Sequence, residues 1–466
     1  MKCAVLQPGA VLLLLVALVT ALPASAQEPR SVTELFSRGH TQTLLMRIEV
    51  GLARVQARRG IIPNEAAEEI ARTATIEAVP PATVAEEQRR VGHPLVALLN
   101  AWARVTQNGA GEWIHYGATT QDIYDTAQVI QTREAMRRMI ATMERAEDAM
   151  LRLAEEHRAT PMIGRTVGRH ALPITFGLKI ASWMAENRRN IERMKGWLAR
   201  TNTGMLSGAV GSYAALGPDA LALEAELMRE IGLGEPWPVD WKGAKDMFAE
   251  YGALLGIAAR SWARVAQEVF LMQGDDLREV GDPGSEVGSS TMPHKVNPGR
   301  SRTVVALARV VPHQAEVLQE WQVSIGERDQ ISNADTLGEV STTMDRLLTA
   351  AAGMMEGLQV YPENMRRNLG RTNGLIMAEH AMFLLGERIG KHTAHEEVRL
   401  AARAAWERGT SLVEEIAARA GLASLVVELD LANQLDPTRY IGLAPAAVDR
   451  TIAAIRTARG AAPLTK

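Results

Sequence analysis

The chain has 466 residues, 47% of them hydrophobic and 23% charged, which excludes a disordered polymer and leaves room for two or three globular domains. A formal charge of −3 excludes the basic footprint of a nucleic-acid binder or a polybasic membrane patch, so an anionic ligand must be held by local cations. Lys2, an apolar run from Val11 to Leu22, and Ala24-Ser25-Ala26 before Gln27 read as a secretory signal peptide over residues 1–26. The run has 12 residues, short of the ~20 that a spanning helix needs. The mature protein is therefore expected to be periplasmic or secreted, with no membrane contact after cleavage near Ala26; a misassigned start codon is the alternative. Cys3, the only cysteine, lies in this leader, so the mature chain is expected to have no disulfide, thiolate nucleophile or Cys-ligated metal.

From Ser31 onward apolar residues recur every three or four positions and strict alternation is almost absent, so the expected fold class is all-α. Residues 27–126 read as an N-terminal mixed helical domain. Residues 127–360 carry the longest stripes: Leu254, Ile257, Ala258, Trp262, Val265, Val269 and Met272, then Leu337, Val340, Met344, Leu347, Ala351, Met354 and Leu358. Stripes of this length belong to a bundle whose helices bury one face against several neighbours, with methionine as core filler. Breaks fall between Gly274 and Pro298, at Tyr361-Pro362 and at Asp436-Pro437, which leaves 361–466 as a C-terminal helical domain. Within the first break, residues 284–298 are small, polar and flexible, as in a lid or binding loop. Pro298 suits the first turn of the next helix, which would aim the N–H groups of residues 297–300 at the loop and attract anions. By composition alone an ordinary surface loop fits equally well.

The residue pattern of that loop shifts the balance. Gly288-Ser289-Ser290-Thr291-Met292-Pro293-His294-Lys295-Val296-Asn297 resembles the fumarase/aspartase superfamily motif G-S-S-x-x-P-x-K-x-N at every defined position. His115-Tyr116-Gly117-Ala118-Thr119-Thr120-Gln121-Asp122 is similar to that family's first conserved region, and Gly164-Arg165-Thr166 with Pro173 to Gly177 to its second. The HYGATTQDIYDTA segment, the Pro-His-Lys form of the loop, Glu327-Arg328-Asp329, and the C-terminal GLIMAEHAM and TAHEEV segments resemble the branch of adenylosuccinate lyase and 3-carboxy-cis,cis-muconate cycloisomerase. The resemblance implies a three-domain fold whose long central helices pool in a homotetramer, with each active site assembled from three subunits.

It also implies a reaction. A proton leaves the carbon beside a carboxylate and a group leaves the neighbouring carbon, usually giving fumarate. Charge then builds on a group already anionic, so preorganised cations and N–H donors must surround it. By resemblance Ser289 is the base, with Ser290 as the adjacent alternative. Lys295 and Asn297 match positions that hold substrate carboxylate, and Thr119 and Thr120 match hydroxyl residues that bond a second one. Thr166 falls in the substrate-binding second region, and Arg328 suits a further anionic group or an intersubunit salt bridge. Adenylosuccinate lyases typically place a histidine directly after the Arg-Thr of that region, where this chain has Val167. His170, within reach of one helical turn, is expected as the general acid, with His115 and His93 matching two further pocket histidines.

The expected partner is a small di- or tricarboxylate substrate, and the expected reaction β-elimination by C–N or C–O cleavage of a substituted succinate. Cycloisomerisation of a carboxymuconate-like lactone is the alternative that Val167 and His170 favour. A non-catalytic helical binding protein on the same fold is the reading of another class, disfavoured by the intact loop. No cofactor is expected. His392 and His395 lack the acidic partners of a zinc-hydrolase site, and no glycine-rich phosphate loop follows a strand.

Overall fold

The computed structural model describes residues 29–282, 289–328 and 335–460, so the leader read at 1–26, the loop residues before Ser289, and Asp329 lie outside the described residues. Two compact units meet in the chain at Tyr116 and Gly117: one spans 38–116, the other 31–37 with 117 onward. The step expected at 126 falls inside the continuous helix Thr120–Glu156, and residues from 361 belong to the same unit as the long helices.

In the first unit the helix Arg38–Arg58 is buried on nearly every side between Leu44 and Ala57, as a helix with apolar residues all round must be. The helices Pro81–Val91 and Pro94–Ala103 each open on proline, whose missing N–H would have lacked a helical partner anyway. Gly92, at φ 72°, ends the first of them in the left-handed conformation that glycine adopts freely. Glu87 is buried here and is bonded by Arg90, Arg104 and Asn100.

The second unit is built on five long helices, Thr120–Glu156, Phe176–Arg200, Asp246–Met272, Arg300–Glu320 and Asp335–Glu356. The third packs along the fourth, the fourth along the fifth, and the first against the second and fifth. Both expected stripes lie in this core, except that Ile257 is exposed and Leu358 is buried just beyond the end of its helix. At Gly252 the third and fourth helices nearly touch, since a Cβ there would stand 3.1 Å from the Ala315 carbonyl oxygen. The last helix, Ala444–Gly460, returns to bury Val448, Ile452 and Ile455 against the Phe176–Arg200 and Thr120–Glu156 helices.

Two features depart from expectation. Residues 161–175 form an antiparallel hairpin, β1 (Pro161–Thr166) with β2 (Arg169–Thr175), joined by Val167-Gly168 at φ 49° and 72°. Positive φ at both central residues is the mirror-image turn that suits the strand twist. The helix after the motif loop begins at Arg300 with Gly299 at its cap, so Pro298 stands outside it.

Candidate active site

Ser289 is the first described residue of the loop after residue 282, and is half-buried while Ser290 is exposed. The Ser289 Oγ accepts hydrogen bonds from the backbone N–H groups of Thr291 (3.3 Å) and Met292 (3.0 Å). Among the described residues, Ser289 is the one of the two adjacent hydroxyls with donors aimed at its oxygen. The next residues close a turn in which the Lys295 N–H donates to the Met292 carbonyl at 3.0 Å, leaving the Lys295 side chain exposed and Asn297 half-buried. The anion expected at the following helix start is the protein's own: Asp282 Oδ2 accepts from the Ser301 N–H (2.7 Å) and Oγ (2.8 Å).

At the start of the Thr120–Glu156 helix, Thr119 and Thr120 are half-buried. Arg328 Nη1 donates to Thr119 Oγ1 at 3.4 Å, so the structure brings together two residues 209 positions apart. Asp122, three residues into the turn and fully buried, accepts from the Thr119 N–H at 3.0 Å and from the N–H groups of Ser207 and Gly208 at 3.1 Å each. The Thr-x-x-Asp spacing is a visible capping signal, yet it gives no hint of the second loop that the same carboxylate ties down.

His170 does not share a helical turn with Val167. It sits on β2 directly across from Arg165, because this stretch is a hairpin of period two. Its Nδ1 is buried with no hydrogen-bond partner among the described residues. Burial first, then the nearby Arg165, pushes the imidazole below its ordinary value; Arg371 and Arg169 push the same way and Glu279 opposes them. Glu279, fully buried, takes two bonds from Arg165 (2.9 and 2.7 Å) and one from Asn368 (2.9 Å). Thr166 is exposed one residue before the turn.

The remaining two histidines belong to the first unit. His115, at φ 64°, has its Nδ1 2.7 Å from Oε1 of the buried Glu49, a pairing that fixes the ring. Glu49 carried no signal in the sequence, since it lies in the buried stretch of a helix 66 residues away. His93 caps the Pro94–Ala103 helix, its Nδ1 accepting from the Val96 N–H at 3.3 Å.

Two hollows lie away from the expected site residues. One is an open groove of about 580 Å³ lined by Asp148, Leu151, Arg152, Glu155, Arg456 and Arg459. The other is a small crevice beside Trp183 and Trp262. Among the described residues no three His, Cys, Asp or Glu side chains form a metal-binding group.

Comparison with known proteins adds three kinds of match. A lyase family model covers residues 48–312, and a model of the adenylosuccinate lyase C-terminus covers 374–451. The N-acetyl-S-(2-succino)cysteine lyase of Enterococcus italicus is 33% identical over 420 residues, 89% of this chain and 92% of that protein. The 3-carboxy-cis,cis-muconate cycloisomerase of Pseudomonas aeruginosa is 34% identical over 426 residues, 89% of this chain and 92% of that one. A solved fumarate lyase from Mesorhizobium sp. BNC1 superposes with a TM-score of 0.84 at 34% identity, over 92% of this chain and 100% of that chain.

Proposed function

The chain belongs to the fumarase/aspartase superfamily, in the branch of adenylosuccinate lyase and carboxymuconate cycloisomerase, and from that premise we propose the course of its reaction. It is a β-elimination lyase. The substrate is a substituted succinate carrying a leaving group on nitrogen, oxygen or sulfur. Ser289 Oγ takes the proton from the carbon beside one carboxylate. The electron pair forms the new C=C bond as the neighbouring C–X bond breaks, X leaves with a proton from an imidazole, and fumarate or a related unsaturated acid remains.

The observation that carries this reading is the pair of N–H groups on Ser289 Oγ. A serine hydroxyl is a very weak acid and serves as a base only if its alkoxide is stabilised before reaction, which two fixed dipoles do. Lys295, Asn297, Thr119, Thr120, Thr166 and Arg328 hold the carboxylates. Two imidazoles are equipped for proton delivery in different ways. His115 is oriented by Glu49. His170 lies among Arg165, Arg169 and Arg371, whose effect a bound polycarboxylate offsets, so substrate raises its proton affinity. His93 lines the pocket. The active unit is a homotetramer with shared sites, and residues 1–26 direct export.

The test is a panel of N-, O- and S-substituted succinates followed by the ultraviolet absorbance of released fumarate. Ser289→Ala should lower kcat by about 10²–10⁴-fold. Full activity in that variant would overturn the assignment. Cycloisomerisation is the second reading, supported by Val167 in the position after Arg165-Thr166; it predicts loss of a carboxymuconate-type substrate with no fumarate released. N-terminal sequencing of the exported protein tests the leader.

A further inference from the structure

The turn Lys242-Gly243-Ala244-Lys245 lies outside every motif considered above, yet both of its lysines are buried. Lys242 Nζ lies 2.8 Å from Asp122 Oδ1 and 2.7 Å from Asp240 Oδ1, and also donates to Ser207 Oγ. Lys245 Nζ lies 2.6 Å from Asp125 Oδ1, which also accepts from Gln121 at 2.6 Å. Asp122 and Asp125 are one helical turn apart, so two buried ion pairs fix the same face of the Thr120–Glu156 helix start to one turn. Between the lysines, a Cβ at Gly243 would stand 3.0 Å from the Glu327 carbonyl oxygen and 3.5 Å from that of Gly326. The backbone that carries Arg328 therefore rests on this glycine.

We propose that the Lys242–Lys245 turn is a positioning element, which sets the distance between the Thr119-Thr120 hydroxyls and the Arg328 guanidinium and so tunes the grip on a substrate carboxylate. The inference rests on the binding roles proposed for those three residues. Burying two ion pairs yields little net stability compared with apolar packing, because desolvation offsets the attraction. What such pairs supply is one geometry in place of several. The network is continuous: Lys242 to Asp122, Asp122 to the Thr119 N–H, Thr119 Oγ1 to Arg328, and Arg328 back through Glu327 to Gly243. None of the four turn residues needs to touch the ligand.

Gly243→Ala presses on the Glu327 carbonyl, and Lys242→Met removes the charge opposite Asp122. Fumarate binding to the full-length protein, followed by titration calorimetry, should weaken by about tenfold in each variant while far-UV circular dichroism and oligomeric size stay unchanged. In the fumarate-release assay both variants should raise KM about tenfold and leave kcat within about twofold, the signature of lost uniform binding. If Lys242→Met does not fold, Gly243→Ala decides alone. Wild-type fumarate affinity and KM in a folded Gly243→Ala variant would overturn the proposal. A wild-type protein that binds no fumarate overturns the substrate reading itself, and the positioning role with it.

Discussion

His170 shows how far one side chain's surroundings define its behaviour. Its imidazole is held below the ordinary 6.5 by burial and by Arg165, Arg371 and Arg169. Above pH 6.5 the ring is neutral whether the chain is folded or not, and contributes nothing. As pH falls below 6.5 the unfolded chain takes up a proton that the folded one resists, so stability drops until the depressed folded value is passed. His170→Gln removes that loss, and its thermal midpoint should fall less steeply below pH 6.5 than the wild type's. Val167 makes a second residue-scale case. A β-branched side chain at φ 49°, fully exposed, is strained with no packing to offset it. Val167→Asn, which tolerates this turn, should raise stability by about 1 kcal/mol in chemical denaturation. The same valine explains why the hairpin was illegible: a turn written Val-Gly lacks the Asn-Gly signal, so His170 was assigned to a helical face it does not occupy. The loop motif that carries Ser289, Lys295 and Asn297 can be read off the sequence because it is contiguous and needs no tertiary information.

At the scale of elements, Ile163 in the apolar cluster ties the hairpin to the C-terminal helices, and the Arg165–Glu279 pair ties it to the segment after the Asp246–Met272 helix. Glu279 is fully buried, so Arg165→Met strands a carboxylate and should cost about 3 kcal/mol, measured by denaturant titration. Adding Glu279→Gln should recover most of that loss, since the isolated charge is what penalises the single variant. In the other unit, Arg90, Arg104 and Asn100 lower the Glu87 carboxyl from 4.5 to about 2. A depressed carboxyl stabilises the fold above its unfolded value and loses that contribution as pH falls toward its folded one. Glu87→Gln should therefore be less stable at neutral pH and show a flatter acid limb between pH 4.5 and about 2 in a melting series. The long helices were readable from Leu254 to Met272 and from Leu337 to Met354, because burial of one face imposes a local period. Pairs such as Arg165 with Glu279, 114 residues apart, or Lys245 with Asp125, 120 apart, impose no period and leave no local trace.

For the whole molecule, the long helices keep apolar residues on faces that the single chain leaves open: Ile257, Phe270 and Leu271 on Asp246–Met272, and Val310 and Val317 on Arg300–Glu320. Apolar surface repeated along neighbouring bundle helices fits burial against further copies of the same chain. With such faces open, a site that uses Ser289 and His170 draws them either from one copy or from two. A mixing experiment separates the possibilities. Take Ser289→Ala and His170→Gln, each first checked to be inactive alone, unfold and refold them together in equal amounts, and follow fumarate release. If one site draws both residues from a single subunit, every site in a hybrid carries one lesion and no activity returns. If it draws them from different subunits, half of the contributions are intact on each side and about a quarter of the sites regain both groups. Recovery of about a quarter of wild-type activity is the expected result, and none at all would confine Ser289 and His170 to one subunit.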